Sequence, residues 1–236
     1  MSNATETTPI TVTHRPTAVS TAASVLAVVT VSFLLGTATD TTFPVIVGSV
    51  GVVITALALW IASHDEFAIG LVVGLIGLPV ALAGVALAWA GVGRLTVTLA
   101  LAPTILGGLL VAAAVIPRSG TGSRLLLKVG AAVVMVGILV AGITKQVSFG
   151  ELLLAGVVLV FAWDAGENAM NVGEQLGREP KTWPVEAAHL CGTAIVGAVT
   201  IGLGQVTKGL GTPGLPLGQF ALLLVAVVVL TAALHE

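Results

Sequence analysis

The segment FAWDAGENAMNVGEQLGREPKTWPVEAAHL, residues 161–190, gathers most of the side chains in this chain that could do chemistry. Asp164, Glu167, Asn168, Asn171, Glu174, Gln175 and Arg178 follow one another closely, and Glu186 and His189 come next. Carboxylates beside an imidazole can hold and pass a proton or bind a cation, and acids with a histidine inside a membrane are what relays are built from. The same groups can also hydrogen-bond one another and cap two helices, or mark the wet end of a helix leaving the bilayer. Glu186 and His189 stand at i, i+3 and share a helix face. One Glu-x-x-His is half of a di-iron carboxylate set, which needs a second such pair and further glutamates. The chain has no HExxH, phosphate loop, nucleophile elbow or CxxC, so neither a cofactor nor a metal is expected, and a membrane enzyme lacks its catalytic pair.

The elements that must position these residues are membrane spans. The 236 residues are 56% hydrophobic and only 8% charged, with a mean hydropathy of +1.11, whereas a soluble domain is about a quarter charged. Lipid is therefore the expected solvent. The apolar runs are about twenty residues long and do not alternate, which is the pattern of helices and not of a barrel. A formal net charge of −2 and the lack of any Lys/Arg cluster argue against a nucleic-acid partner. The single cysteine, Cys191, excludes an internal disulfide and reads as a small buried hydrophobe.

The expected fold is an all-α polytopic membrane bundle of about eight helices, at roughly 17–36, 44–62, 68–92, 95–117, 124–143, 150–170, 185–206 and 217–235, each near the ~20 residues a bilayer requires. Residues 1–16 read as a disordered polar tail, and 17–236 as one transmembrane domain. Pro79 and Pro103 fall within spans and could kink them. Gly70-x-x-x-Gly74 could be a helix-packing face. Glu151, Lys145 and Arg94 read as solvated anchors at one end. Arg15, Arg118, Arg124, Lys128, Arg178 and Lys181 fall on one side against Arg94, Lys145 and Lys208 on the other, which places both termini in the cytoplasm.

At 100° per residue, the seven polar groups from Asp164 to Arg178 fall within a sector of about 120°, opposite Ala162, Ala169 and Val172. The sixth helix should therefore continue past the bilayer as an amphipathic extension. Asp164 lies on the order of 7–9 Å inside the boundary, where a carboxylate must meet a partner or water. The seventh span begins near Pro184 and returns His189 to about that depth. The expected site is a polar cluster of Asp164, Glu167, Asn168, Asn171, Glu186 and His189 at the cytoplasmic side, with Trp163 and Trp183 in the aromatic belt.

Through WDAGENAMNVGEQLGRE and VEAAHL the chain resembles uncharacterised multi-pass membrane proteins of haloarchaea, a style that the Ala/Val/Gly/Thr-rich spans and the absence of Tyr also fit. The resemblance implies a membrane component of a larger system, of the kind that accompanies a MoxR-type ATPase and von Willebrand A-like partners, and it implies no catalytic residues. Two functions are expected. One is a membrane scaffold or accessory subunit that docks a membrane or cytoplasmic partner through the end of the sixth helix. The other is a small ion or solute transporter or channel that uses Asp164, Glu167 and His189. The oligomeric state is not legible.

Overall fold

Long apolar stretches broken by short polar turns leave each backbone segment one way to satisfy its own hydrogen bonds in lipid, and that is the helix. The computed structural model describes residues 15–64, 66–92, 95–116, 122–176 and 181–209. In them the chain forms α1 (Ala18–Ala38), α2 (Thr42–Ala62), α3 (Phe67–Val92), α4 (Leu95–Val115), α5 (Arg124–Ile143), α6 (Phe149–Leu176) and α7 (Trp183–Gly209). All seven are long and apolar enough to cross a membrane, and the fold is a polytopic helical membrane bundle. The eighth expected span, 217–235, lies outside the described residues. The chain divides into two units, Met1–Ile201 and Gly202–Glu236. The helix packing and the polar site both belong to the first, and the described part of the second is the end of α7.

The close approaches of α2 to α3, α4 to α5 and α5 to α6 are antiparallel. α1 packs along α6, α4 and α2; α2 along α3; and α4 along α5. α4 is the most enclosed span, 61% buried, whereas α7 is only 6% buried. The core is a seam of Val28, Val31, Leu35, Leu101, Val111 and Leu159 between α1, α4 and α6. Large side chains such as Leu75, Trp89, Leu139 and Ile195 point outward, as lipid-facing positions do when lipid is as apolar as the core. Pro79 and Pro103 lie within α3 and α4, which run on through them.

Close packing between helices is set by glycine. In α3, Gly70, Gly77 and Gly84 recur every seven residues. A Cβ at Gly84 would meet the backbone of Gly48, one at Gly77 would sit 2.7 Å from the Thr55 nitrogen, and one at Gly70 2.6 Å from the Ala62 Cβ. At Gly51 of α2 a Cβ would meet the Ala81 backbone. Small residues let membrane helices approach this closely, and a seven-residue repeat keeps the seam on one face. Gly74 is not part of it, since a Cβ there would make ordinary contact with Ala58 at 3.6 Å.

The turns use sequence signals of their own. Ser148 and Glu151 form a reciprocal capping box at the start of α6: the Ser148 N–H donates to Glu151 Oε2 at 2.6 Å and the Glu151 N–H to Ser148 Oγ at 3.4 Å. Glu151 is thus a cap rather than only a solvated anchor. Before it, α5 closes with Lys145 at φ 53°; the Lys145 N–H donates to Gly142 O at 3.1 Å and the Gln146 N–H to Ala141 O at 3.0 Å. This is a Schellman motif with lysine at the position that glycine usually takes.

Candidate functional site

The site lies at the end of the bundle where α1, α5 and α7 begin and α6 finishes. Glycine and alanine on α6 let α1 come close on the side opposite the polar face: Ala155, Ala162, Gly166, Ala169 and Gly173 are all buried. A Cβ at Gly173 would meet the Arg15 carbonyl. The Thr17 N–H donates to Ala169 O at 3.0 Å, and Ser24 Oγ donates to Ala162 O at 2.6 Å. Residues 15 and 16, expected in a loose tail, are instead packed against α6. Residues 1–14 lie outside the described residues.

The six expected site residues do not form one cluster. They divide among three neighbouring helices, because a polar sector of about 120° is wide enough to face three partners. On one flank, Arg124 of α5 gathers the end of α6. Its Nη2 donates to Asn171 Oδ1 at 2.7 Å and to Glu174 Oε2 at 2.8 Å, and its Nε is 3.5 Å from Glu167 Oε2. On the other flank, Asn168 Nδ2 donates to Ser20 Oγ of α1 at 3.0 Å. Between these flanks Asp164 faces α7. Its Oδ2 lies 2.8 Å from His189 Nε2 and accepts from Thr193 Oγ1 at 2.7 Å. The side chain of Asp164 is 33% exposed and that of His189 40%.

Glu186 turns away from Asp164 and His189 and meets Asn168 only through Ser20. It is 1% exposed and turns to the start of α1. There its Oε2 accepts from Thr17 Oγ1 and from the Ser20 N–H, both at 2.7 Å, while its Oε1 accepts from Thr182 Oγ1 at 2.7 Å. Thr17, the N-cap of α1, makes no side-chain cap bond of its own. A carboxylate from α7 takes that part, satisfying an orphan N–H and lying against the positive end of the α1 dipole. Thr17, Ser20, Thr21 and Ser24, spaced along one face of α1, are the members of the site that sequence reasoning missed. The signal was present as TAVSTAAS, residues 17–24, but hydroxyls in an apolar span read as filler.

Cys191 is exposed on α7 and not buried. Among the described side chains of α7 only Glu186 is enclosed, so Cys191 shares the outward surface of that helix. Trp163 and Trp183 are also exposed, at 42% and 60%. No group of three or more metal-binding side chains occurs among the described residues.

Chemically, the end of the bundle holds one acid–imidazole pair, one arginine shared by two acids, and one carboxylate spent on helix capping. A family model described as a family of unknown function, DUF7519, matches residues 78–231. The chain belongs to that family. The match takes in Arg124, the polar face of α6 and all of α7, and leaves α1 and α2 outside it. No curated protein matches the chain, and no solved structure does.

Proposed function

We propose that this member of the DUF7519 family is a membrane scaffold, an accessory subunit of a larger assembly that takes hold of a partner through the polar end of α6. The excess of Lys and Arg on that side supports a cytoplasmic placement for it. The resemblance to haloarchaeal membrane proteins supports a cell membrane of that kind. The observation that carries the reading is how the polar groups are distributed. Asp164, Glu167, Asn168, Asn171, Glu174, Glu186 and His189 are all tied to partners at one end. Beyond them the seam is closed by Val28, Val31, Leu35, Leu101, Ile105 and Leu159. Of the hydroxyls buried away from that end, Ser32 and Thr104 bond to carbonyls of their own helices, and Ser49 and Thr98 have no hydrogen-bond partner. A transport route needs polar groups along its length, and among the described residues the enclosed positions there hold isolated hydroxyls and no charged side chain. Glu167 and Glu174 lie against Arg124, and Asn171 and Gln175 are exposed beside them, a polar surface on which a partner can form hydrogen bonds and ion pairs.

The test is a photo-crosslinking residue at Gln175, in native membranes, against one at Leu139 near the opposite end. A discrete protein adduct at Gln175 alone, lost in Glu174→Lys, is the expected result. Adducts that are equal at both positions, or absent at both, overturn the docking surface.

The second reading is a small transporter, and the part-exposed Asp164–His189 pair in the α6–α7 seam favours it. Cysteine at position 164 in a Cys191→Ala background separates the two when probed with a membrane-impermeant thiol reagent. Labelling from the cytoplasmic side alone fits the scaffold, and labelling from both sides means a pathway.

A further inference from the structure

A lateral groove of about 660 Å³ lies between the start of α1 and the end of α2, within the size range of small-molecule sites. Its two walls are helical stripes. Ala18, Ala22 and Leu26 are exposed at i, i+4 and i+8 on α1, and Val53, Leu57 and Trp60 are exposed on α2. Because the rim is exposed and apolar, the groove opens sideways into lipid. From Ala18 to Leu26 it runs roughly 12 Å at 1.5 Å per residue, close to one leaflet of a ~30 Å hydrocarbon core. The floor is dry. Thr21 Oγ1 donates to Val115 O at 3.3 Å, and Thr17 Oγ1 is held by Glu186.

The groove's upper end is different. Arg15 lines it together with Ser63, His64 and Thr182. The Arg15 Nη1 donates to the Ser63 carbonyl, and its buried Nε has no hydrogen-bond partner. No acid among the described residues forms an ion pair with Arg15, and none lines the groove. His64 Nδ1 lies 2.8 Å from Trp60 O, which can only accept, so this nitrogen carries the proton. The Trp60 and His64 rings are 4.4 Å apart. A cation with no counter-ion among the described residues thus sits at headgroup depth above an apolar slot one leaflet deep.

We propose that this groove seats one acyl chain of an anionic phospholipid, with the lipid phosphate held by Arg15 beside His64. The charge selects the headgroup, and the stripe of small residues Ala18 and Ala22 makes room for the chain. An arginine guanidinium suits phosphate through its fork of donors, and basic pockets between membrane helices hold lipid headgroups in this way. The inference is independent of the scaffold reading, since the groove lies on α1 and α2, away from the polar face of α6.

Native mass spectrometry of delipidated, detergent-solubilised protein, titrated with dioleoyl phosphatidylglycerol or dioleoyl phosphatidylcholine, tests it. One anionic lipid is expected to be retained about tenfold more tightly than the zwitterionic one, the size of a charge-assisted contact. Arg15→Gln should reduce that preference to near unity, whereas Arg124→Gln, a cation at the same end outside the groove, should leave it. Ala22→Trp, at an exposed position, should block retention of both lipids while the protein stays monodisperse. Inorganic phosphate at millimolar concentration should not compete, because the chain supplies most of the hold. Preference unchanged in Arg15→Gln, retention unchanged in a monodisperse Ala22→Trp, or displacement by free phosphate would each overturn the proposal.

Discussion

The carboxylate of Glu186 accepts the backbone N–H of Ser20 at 2.7 Å, across 166 residues of sequence. The first and seventh helices are thereby joined at their N-termini by a side chain that is almost completely buried. Replacing Glu186 with Ala would leave the Ser20 N–H and the Thr17 and Thr182 hydroxyls without their acceptor. A buried polar group left unsatisfied costs ~1–3 kcal/mol, so Glu186→Ala should destabilise by roughly 2–5 kcal/mol, while Glu186→Gln, which keeps one acceptor oxygen, should cost less. Thermal unfolding in detergent measures both. An alanine variant as stable as the parent would show that the three bonds contribute nothing net.

The α2–α3 seam should be intolerant of even one methyl group. A Cβ at Gly51 would run into the Ala81 backbone, and one at Gly84 into Gly48. Helix backbones cannot swing aside as a flexible side chain can. Gly51→Ala and Gly84→Ala should each cost at least ~1–3 kcal/mol, the range for overpacking. Gly156→Ala, where a Cβ would meet nothing within 4 Å, is the matched control and should be neutral or slightly stabilising, since alanine favours the helix by up to ~1 kcal/mol. Equal midpoints for all three would remove glycine from the account of this seam.

Lys145 offers a gain in stability. Its φ of 53° lies in the left-handed region, where an L side chain is strained and glycine is not. Lys145→Gly should therefore raise stability by roughly 0.5–1 kcal/mol despite the added freedom of the unfolded chain, and Lys145→Val should lower it. The order Gly above Lys above Val in unfolding midpoint is what the Schellman geometry requires. The reverse order would mean that this turn is not closed as described.

The helices were legible because bilayer thickness sets a length, and an apolar run near twenty residues announces itself. The return of His189 to the level of Asp164 was legible for the same reason: two antiparallel helices joined by a short connection must match in depth. What sequence could not show was azimuth. Asp164, Glu167 and Asn168 share a polar face, but which neighbour each meets depends on how α1, α5 and α7 are arranged around α6. Glu186 went to α1 because the TAVSTAAS stripe offers an uncapped helix start. The distance along the chain hides that pairing, and lipid-compatible Ser and Thr disguise it. The heptad of Gly70, Gly77 and Gly84 was hidden by abundance, since among 29 glycines no single spacing stands out.

Asp164 and His189 carry the last prediction. Their 2.8 Å contact lies at a half-exposed seam, with Thr193 Oγ1 as a further donor to the same oxygen. If the pair is structural, Asp164→Leu and His189→Ala should each weaken the α6–α7 contact, and the double variant should cost less than their sum. A coupling of about 0.5–1.5 kcal/mol is expected, in the range of polar contacts between membrane helices. α7 is otherwise so little buried that these bonds, with those of Glu186, form a large part of its attachment near the start of the helix. A Cβ at Gly197 would stand 2.7 Å from Val157 Cγ1, so Gly197→Leu should push the helices apart and reduce that coupling without touching either partner. Additive single effects, with the coupling indistinguishable from zero, would mean that Asp164 and His189 act independently.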